Sequence, residues 1–291
     1  MIRLTFELYP SDGQIYSFEN PYGYIFRGII MKWLNDIKPE FVHKLHEYEV
    51  VRPYSINCII NRKIPKIDFI ITSFQDDLSE ALINDLLTNE KNKIYISEKE
   101  YIISQIRFER IYVNNIMNIA KPVKGFSIRF VTPVYFNTSK GDYPVRVPMP
   151  AVMLNNLVNL WNSHADKKFN IDDETFMAWV EAHVYISGYN LRSVKRTIGK
   201  EKLVVGGLGN ATYSVSKMNT FFYAKHVKEN GLEWSGKDVK QDYLNNCRWL
   251  EILCRFGEYM NIGANRTAGM GVIRYYPKRY ASSEDLLEVQ G

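Results

Sequence analysis

Hydrophobic and polar positions in the first half of the chain follow a strand, helix, strand, strand, helix, strand order. The segment "IRLTFELY" alternates apolar and polar residues, which predicts a half-buried strand, and "SINCII", "KIDFIITSF" and "NKIYIS" are further strand patterns. Between them, "PYGYIFRGIIMKWLNDI" and "DDLSEALINDLLT" have helical spacing. In the first of these helices the apolar positions are Ile25, Ile29, Ile30, Trp33 and Leu34. The βαββαβ order is typical of a ferredoxin-like domain.

The second half repeats this order less regularly. A further strand-like stretch, "YIISQIRFERI", is followed by "NNIMNIAKPVKG", whose lysines, proline and glycine indicate a domain boundary before the strand "FSIRFVTPVYF". Helices are predicted at "PAVMLNNLVNLWNSH", "DDETFMAWVEAH" and "QDYLNNCRWLEILCRFGEYM", and strands at "HVYISGYNL", "LGNATYSV" and "GVIRYY". We therefore predict an α+β fold of two tandem ferredoxin-like, RRM-like domains, with bounds 1–120 and 125–280, and a polar tail over 281–291.

Composition and charge exclude several classes of protein. A hydrophobic fraction of 46% and a charged fraction of 24% are typical of a globular chain with a sizeable core. The net charge of +5 is too small to indicate a nucleic-acid partner by itself. Cys58, Cys247 and Cys254 form no paired motif, so neither a disulfide framework nor a zinc site is predicted. The start of the chain resembles no signal peptide and no apolar run is long enough for a membrane span, so we expect a cytoplasmic protein off the membrane.

A glycine-rich loop, "GANRTAGMG" at residues 263–271, precedes the last predicted strand. Glycines allow the backbone to approach a ligand closely, and Arg266 inside the loop could supply a charge for phosphate. The loop is neither a dinucleotide-binding fingerprint, because it follows a helix, nor a Walker loop, because it has no G-K-[ST]. The alternative is a helix C-cap at Gly263 followed by a tight turn. Residues alone leave both interpretations open.

The pattern "RFGEYMNIGANRTAGMGVIRYY" resembles the glycine-rich signature of the RAMP superfamily, and in particular of the CRISPR-associated repeat-processing endoribonucleases, the Cas-six family. The segments "FVTPVYF", "PVRVPMPAVMLNNLVNLWN" and "LVVGGLGNATYSV" agree with it, so the resemblance extends over nearly the whole chain. It implies that the protein binds CRISPR repeat RNA and cuts the precursor within each repeat to release guide RNAs. The cut requires no metal and no cofactor, and leaves 2′,3′-cyclic phosphate and 5′-hydroxyl ends.

The resemblance also implies a catalytic site. Such a cut needs a group that transfers protons to or from the ribose hydroxyls and a cation that stabilises the charged transition state. His46 occupies the place of the family's general acid or base, and Arg52 stands where the family often has a lysine. The family's first-helix tyrosine is absent, because Met31 and Lys32 occupy that neighbourhood; Tyr22, Tyr24 or Lys32 could substitute. His43 is the competitor of His46, and a metal-binding histidine pair lacks a visible third ligand.

Basic residues indicate where RNA could bind. The segment "NLRSVKRTIGKEK" gathers Arg192, Lys195, Arg196, Lys200 and Lys202 between two strands, and forms either a phosphate track or a solvated hairpin. Arg266, Gly269 and Gly271 of the glycine-rich loop are the further RNA-binding candidates. We also expect Lys121, Lys124 and Arg129 to lie at the passage between the domains.

Two other functions remain open at the level of sequence. The same fold serves non-catalytic RAMP subunits that hold guide RNA in a multi-subunit effector complex, and a general RNA-binding module is the third interpretation. The resemblance is also compatible with a homodimer. Cleavage of repeat RNA in the presence of a chelator separates these interpretations.

Overall fold

The structure is a computed structural model of the 291-residue chain. It describes residues 1–18, 21–46, 51–74, 76–88, 92–96, 98–137, 143–199, 202–218 and 236–282. Within these ranges the chain divides into two compact units. The first comprises Met1–Val113, Val194–Val205 and Tyr259–Val272, and the second comprises Asn114–Ser193, Gly206–Glu258 and Ile273–Gly291. Each unit is therefore assembled from three separate chain segments, in contrast to the contiguous domains predicted from the sequence.

The first unit is built on a five-stranded antiparallel sheet. Its elements are β1 (Ile2–Pro10), α1 (Tyr22–Ile37), α2 (Pro39–His46), β2 (Tyr54–Asn61), β3 (Lys66–Ser73), α3 (Asp76–Thr88), β4 (Lys93–Ile96) and β5 (Lys99–Arg110). The strand order is β2-β3-β1-β5-β4. This confirms the predicted ferredoxin-like arrangement, in which the first strand lies between the third and the last.

The strand that completes this sheet differs from the prediction. The sequence pattern favoured "NKIYIS" as the fourth strand, but β5 occupies the position beside β1 and pairs with it from Ile2↔Arg110 to Pro10↔Tyr101. The predicted strand is β4, which has only four residues and pairs with β5 as a hairpin at the sheet edge. The longer strand takes the central position because it can satisfy the backbone hydrogen bonds along the whole of β1.

Helix α1 covers the inner face of this sheet. Phe26, Ile30 and Leu34 of α1 are fully buried. Ile25 and Trp33, which the sequence pattern placed on the apolar side of the helix, are only partly buried. Phe26 stacks on Phe69 of β3 with ring centroids 4.1 Å apart. Such an aromatic pair contributes about 0.5–1.5 kcal/mol beyond the burial of its area. This contact fixes the rotation of α1 and thereby decides which of its side chains face solvent.

The second unit repeats the arrangement around a four-stranded sheet. Its elements are α4 (Val113–Ile119), β6 (Val123–Val134), α5 (Pro150–His164), α6 (Asp173–His183), β7 (Val184–Ile198), β8 (Lys202–Val215), α7 (Gly236–Met260) and β9 (Ile273–Tyr280). The strand order is β7-β8-β6-β9, the same ferredoxin-like order as in the first sheet. The tips of β7 and β8, within Val194–Val205, and the last two residues of α7 are assigned to the first unit.

Local sequence explains how the helices of the second unit begin. Pro150 opens α5 at a position where a missing N–H costs nothing. Asp172 caps α6 by accepting from the Thr175 N–H at 3.4 Å. In the described part of the chain no helix is both long and apolar enough to cross a membrane. The three cysteines are free thiols.

Candidate active site and RNA interface

The glycine-rich loop (residues 263–271) lies directly against the first turn of α1. A Cβ atom on Gly23 would lie 2.6 Å from the Ala268 carbonyl oxygen and 2.7 Å from Gly269 Cα. Gly269 has φ +77°, and a Cβ there would lie 3.0 Å from Gly23 Cα. The two segments therefore meet backbone to backbone, and the loop has few side chains because α1 is so close.

Hydrogen bonds close this loop upon itself. The Ile262 N–H donates to the Gly271 carbonyl at 2.9 Å. Gly271 has φ +65°, and a Cβ there would come within 1.7 Å of the Ile262 carbonyl oxygen. Asn261, in the left-handed region just after α7, donates through Nδ2 to the Ile56 carbonyl at 2.8 Å and to the Arg266 carbonyl at 3.2 Å. The sequence left open a helix cap or a close backbone approach to a ligand. The structure has a left-handed residue at the helix end and a close approach as well, but the loop approaches the protein's own backbone.

Arg266 is placed differently from the expectation of a charge directed at RNA phosphates. Its side chain is buried, and its guanidinium donates to the carbonyls of Met260 at 3.0 Å and Arg52 at 3.1 Å. Burial lowers the pKa of Arg266 to about 10. The guanidinium donates to two backbone carbonyls, so Arg266 links the loop to the segment that carries Arg52.

Arg52 belongs to a pair of arginines in the first unit, Arg27 and Arg52, which we call the arginine pair. Arg52 is half-buried, and its Nε donates to the Leu45 carbonyl in the last turn of α2 at 3.1 Å. Burial lowers the pKa of its guanidinium, and the positive charge of Arg27 lowers it further. Within the described ranges neither arginine forms an ion pair with a carboxylate. Two neighbouring cations with no carboxylate partner among the described residues favour the binding of an anion such as phosphate.

Tyr54 of β2 lies beside the arginine pair. Its side chain is fully buried, and burial raises the pKa of its hydroxyl while the charges of Arg27 and Arg52 oppose that rise. The hydroxyl lies 4.0 Å from the sulfur of Met31, the residue at the position of the family's first-helix tyrosine. A phenol from β2 is therefore present near the place where the resemblance implies one from α1.

Arg27 is the residue that sequence reasoning missed. The sequence pattern offered Tyr22, Tyr24 and Lys32 as substitutes for the family's first-helix tyrosine, and Lys32 was the only cation among them. Lys32 is exposed and lies about 140° around the helix axis from Arg27, on a different side of α1. Arg27 could have been found from its spacing, because it follows Gly23 by four residues and therefore shares its side of the helix.

The other catalytic candidates are distributed over α1 and α2. Tyr24 is half-buried on α1, and its hydroxyl would lie 3.0 Å from a Cβ atom on Gly199, at the tip of the β7–β8 hairpin. His43 is exposed on α2. His46 is the last residue of α2, and its side chain lies outside the described residues. His46 directly follows Leu45, whose carbonyl accepts the hydrogen bond from Arg52.

The basic segment around the β7–β8 hairpin is divided between the two units. Lys195, Arg196 and Lys202 are exposed near the tip, in the first unit together with α1 and the arginine pair. Arg192 belongs to the second unit, where it lines a groove with Arg129. Lys200 lies outside the described residues. Arg192, Lys195 and Arg196 lie on one continuous strand, β7, and their role as a phosphate track stays a prediction.

Two further lysines have structural contacts. Lys124 is fully buried, and its ammonium donates to the Ser216 carbonyl at 2.5 Å and to the Tyr243 hydroxyl. This corrects the expectation that Lys124 lies at a passage between the domains. A buried ammonium is stable only when it donates hydrogen bonds to groups within the core. Lys121 lies over the ring of Tyr280, 5.8 Å from its centroid. Among the described side chains, no group of three histidines, cysteines or acidic residues could hold a metal ion.

The two antiparallel sheets, the docked glycine-rich loop and the arginine pair define a tandem ferredoxin-like protein with a cationic site. The sequence model of the CRISPR-associated endoribonuclease Cas6 family matches residues 128–273, which is half of the chain. The chain belongs to the Cas6 family.

Solved structures agree with this assignment in fold. A Cas6 product complex is 19% identical to this chain, with a TM-score of 0.71 over 95% of this chain and 98% of the other. Cas6 from Thermus thermophilus is also 19% identical, with a TM-score of 0.65 over 94% and 97%. A Cas6-related protein from Pyrococcus furiosus is 13% identical, with a TM-score of 0.55 over 96% and 99%. No curated protein sequence is a significant match.

Proposed function

We propose that this protein binds CRISPR repeat RNA and cleaves the precursor transcript once within each repeat, without a metal ion, to produce guide RNAs. The observation that carries the proposal is the arginine pair, two cations without a carboxylate partner among the described residues. One of them, Arg52, is bonded to the end of the helix that carries His46. Similar Cas6 structures are described as product and substrate-mimic complexes, which supports an RNA ligand of this kind.

The proposed reaction is an attack of a ribose 2′-hydroxyl on the adjacent phosphate. The 2′-hydroxyl loses its proton, its oxygen bonds to phosphorus, and the 5′-oxygen of the next nucleotide leaves and gains a proton. A histidine transfers protons efficiently near neutral pH, because its unperturbed pKa is about 6.5. His46 has this role in the proposal. The products are a 2′,3′-cyclic phosphate and a 5′-hydroxyl.

The arginine pair stabilises the transition state in this scheme. The attack places an additional negative charge on the phosphate oxygens, and guanidinium groups fixed in advance at that position lower the barrier. The Nε of Arg52 donates to the Leu45 carbonyl, so its two terminal nitrogens are the donors proposed to contact the phosphate. Tyr24 and Lys32 are the further catalytic candidates on α1.

The experiment compares two histidines of one helix on RNA containing a repeat. His46→Ala is expected to retain RNA binding and to lose about 10²- to 10⁴-fold in cleavage rate, the usual contribution of general acid–base catalysis. His43→Ala, three residues earlier on α2, is the matched variant and is expected to cleave at close to the wild-type rate. Loss of cleavage in His43→Ala alone would transfer the role to His43.

A second experiment tests the attack by the 2′-hydroxyl independently of the role of His46. A 2′-deoxy nucleotide at the cleavage position is expected to abolish cleavage because the nucleophile is missing, and a chelator is expected to have no effect. Cleavage of the deoxy substrate would overturn the mechanism. Specific binding of the repeat without any cleavage by the wild-type protein would favour the alternative, a non-catalytic subunit that holds guide RNA.

A further inference from the structure

A groove on the outer face of the second sheet is a separate feature of this unit. It has a volume of about 330 Å³ and is lined by Arg129, Phe130, Val131, Asn190, Arg192, Leu208, Gly209 and Asn210. We infer that this groove, which contains neither member of the arginine pair, binds an unpaired nucleotide of the RNA. The inference rests on the proposed function only in taking RNA as the ligand.

The groove forms where β6 leaves the regular ladder. Phe130 is paired with Gly209 and Val134 with Gly207, so three residues of β6 (131–133) face the single residue Leu208 of β8. One of the three is Pro133, which has no N–H to give to the ladder. Bulges of this kind bend a strand and redirect its side chains, and they are enriched next to functional sites.

The opposite wall requires a glycine. Gly209 has φ +136°, and a Cβ there would come within 2.1 Å of the Asn190 carbonyl oxygen. The backbones of β7 and β8 therefore approach one another at the groove. This approach brings Asn190 and Arg192 of β7 to the same opening as Asn210 of β8.

The lining has the chemistry that a nucleotide requires. Arg129, Arg192, Asn190 and Asn210 are all exposed, and none of the eight lining residues is acidic. Guanidinium groups bind phosphate, and amide side chains donate to and accept from the edge of a base. Val131 and Leu208 add apolar surface on which a base can lie. The volume is at the lower end of the range of about 300–1,000 Å³ for small-ligand sites, which suits one nucleotide.

Two arginines that lie opposite one another on neighbouring strands indicate that the groove binds an anion. Arg129 is directly opposite Arg274 of β9 in the antiparallel register, and both point to the outer face because Ile128 and Ile273 are buried. Like charges at directly opposite positions destabilise a sheet. Within the described ranges neither arginine has a carboxylate partner, so a bound phosphate would relieve the repulsion. An unpaired strand fits better than a duplex, because only unpaired bases can turn into a pocket of this size.

The test measures binding of a fluorescent oligoadenylate that forms no duplex, at about 50 and 200 mM salt. In Arg129→Gln/Arg192→Gln the affinity is expected to fall. The ratio of the two dissociation constants should also shrink by about sevenfold, since two lost contacts each remove a slope of about 0.7 over a fourfold rise in salt. Arg129→Lys/Arg192→Lys is expected to retain most of the slope. Lys167→Gln/Lys168→Gln, which removes two exposed charges of the same unit, is the matched control and is expected to bind as the wild type does.

Each outcome decides the inference. Unchanged affinity and slope in the glutamine variant would overturn it, as would an equal loss for an RNA duplex or displacement of the oligoadenylate by polyglutamate at equal charge. Cleavage of repeat RNA by the wild-type protein is measured alongside. A wild-type protein that cuts nothing but binds the oligoadenylate through the groove would leave the inference standing while the proposed function fails.

Discussion

At the scale of single residues, glycines mark where the protein's own backbones touch. Gly23 and Gly28 both lie in α1, but a Cβ on Gly23 would strike the Ala268 carbonyl oxygen at 2.6 Å, whereas one on Gly28 would meet nothing within 4 Å. Substitution of Gly28 is therefore the control for substitution of Gly23 within the same helix.

We expect Gly23→Ala to destabilise the protein by about 2–4 kcal/mol, because neither the helix nor the loop backbone can move away without losing packing. Gly28→Ala is expected to stabilise it by about 0.5–1 kcal/mol, since alanine is the better helix former. Chemical denaturation of both variants checks this. Equal stability of the two would mean that the loop is not in contact with α1.

A buried histidine predicts an acid-sensitive second unit. His183 at the end of α6 is stacked on Trp179, with ring centroids 5.0 Å apart. Burial, opposed by a hydrogen bond with the Trp179 carbonyl and aided by the nearby charge of Lys124, lowers the pKa of His183 to about 4. The folded state therefore resists protonation of this ring.

The sign of the effect follows from the two protonation states. Between the unfolded pKa of about 6.5 and the folded pKa of about 4, the unfolded chain binds more protons, so stability falls as the pH is lowered through this window. The wild type is expected to lose about 2–3 kcal/mol from this residue between about pH 7 and 4.5. His183→Gln is expected to have a flatter profile over the same range. Parallel profiles in denaturation experiments would contradict this.

Sequence reasoning reached some residues of the site and not others. Arg52 was found from the resemblance, and its contact with the end of α2 depends on residues close in sequence. Arg27 was missed because its neighbour Arg52 is 25 positions away and the two are brought together only by the packing of α1. Arg266 was interpreted as a charge for RNA phosphate, since nothing in a local pattern indicates that its partners are the carbonyls of Met260 and Arg52.

At the scale of elements, the arginine pair places a cation of α1 near a cation of the segment that precedes β2. Two neighbouring cations without a carboxylate partner in the described ranges add little to stability, so their removal should affect function more than folding. Arg27→Gln is expected to leave the unfolding free energy unchanged or slightly increased and to slow cleavage about 100-fold.

The matched variant for this prediction is Lys38→Gln, at the exposed end of the same helix. It is expected to change neither stability nor cleavage. Single-turnover kinetics at saturating repeat RNA and denaturation curves give both quantities. A large loss of stability in Arg27→Gln with proportionate loss of cleavage would assign Arg27 a purely structural role.

The order of the elements along the chain was predictable from the sequence, whereas the position of each strand within the sheet was not. Alternation in "IRLTFELY" and the helical spacing of the next segment were sufficient for the ferredoxin-like order. The choice between β4 and β5 for the place beside β1 depends on which strand can pair along its full length, and this is a property of the assembled sheet. The same limitation hid the groove at residues 131–133, because a bulge is defined by the partner strand.

At the scale of the whole molecule, the first unit depends on a segment close to the end of the described chain. Asn261 and Arg266 donate to the Ile56 and Arg52 carbonyls, and Ser55 donates to the Tyr259 carbonyl at 2.7 Å. A fragment of residues 1–113 lacks all three of these bonds.

We expect this fragment alone to lack a cooperative unfolding transition, because losing these bonds leaves buried carbonyls unsatisfied and exposes the core beside β2. A peptide of residues 259–272 added in excess is expected to restore ordered structure, measured by amide chemical-shift dispersion, and a scrambled peptide is not. A fragment as stable as the intact protein would contradict this.

The late position of the glycine-rich loop has a consequence during synthesis on the ribosome. The first sheet is complete in sequence at Arg110, but the segment that closes its unit ends at Val272. At about 5–20 residues per second, the nascent sheet waits about 10–30 s before its closing segment exists. During this interval the uncovered backbone of α1 and β2 is open to chaperones and to neighbouring chains, so the order of translation, rather than the final contacts, sets when this protein is most vulnerable to aggregation.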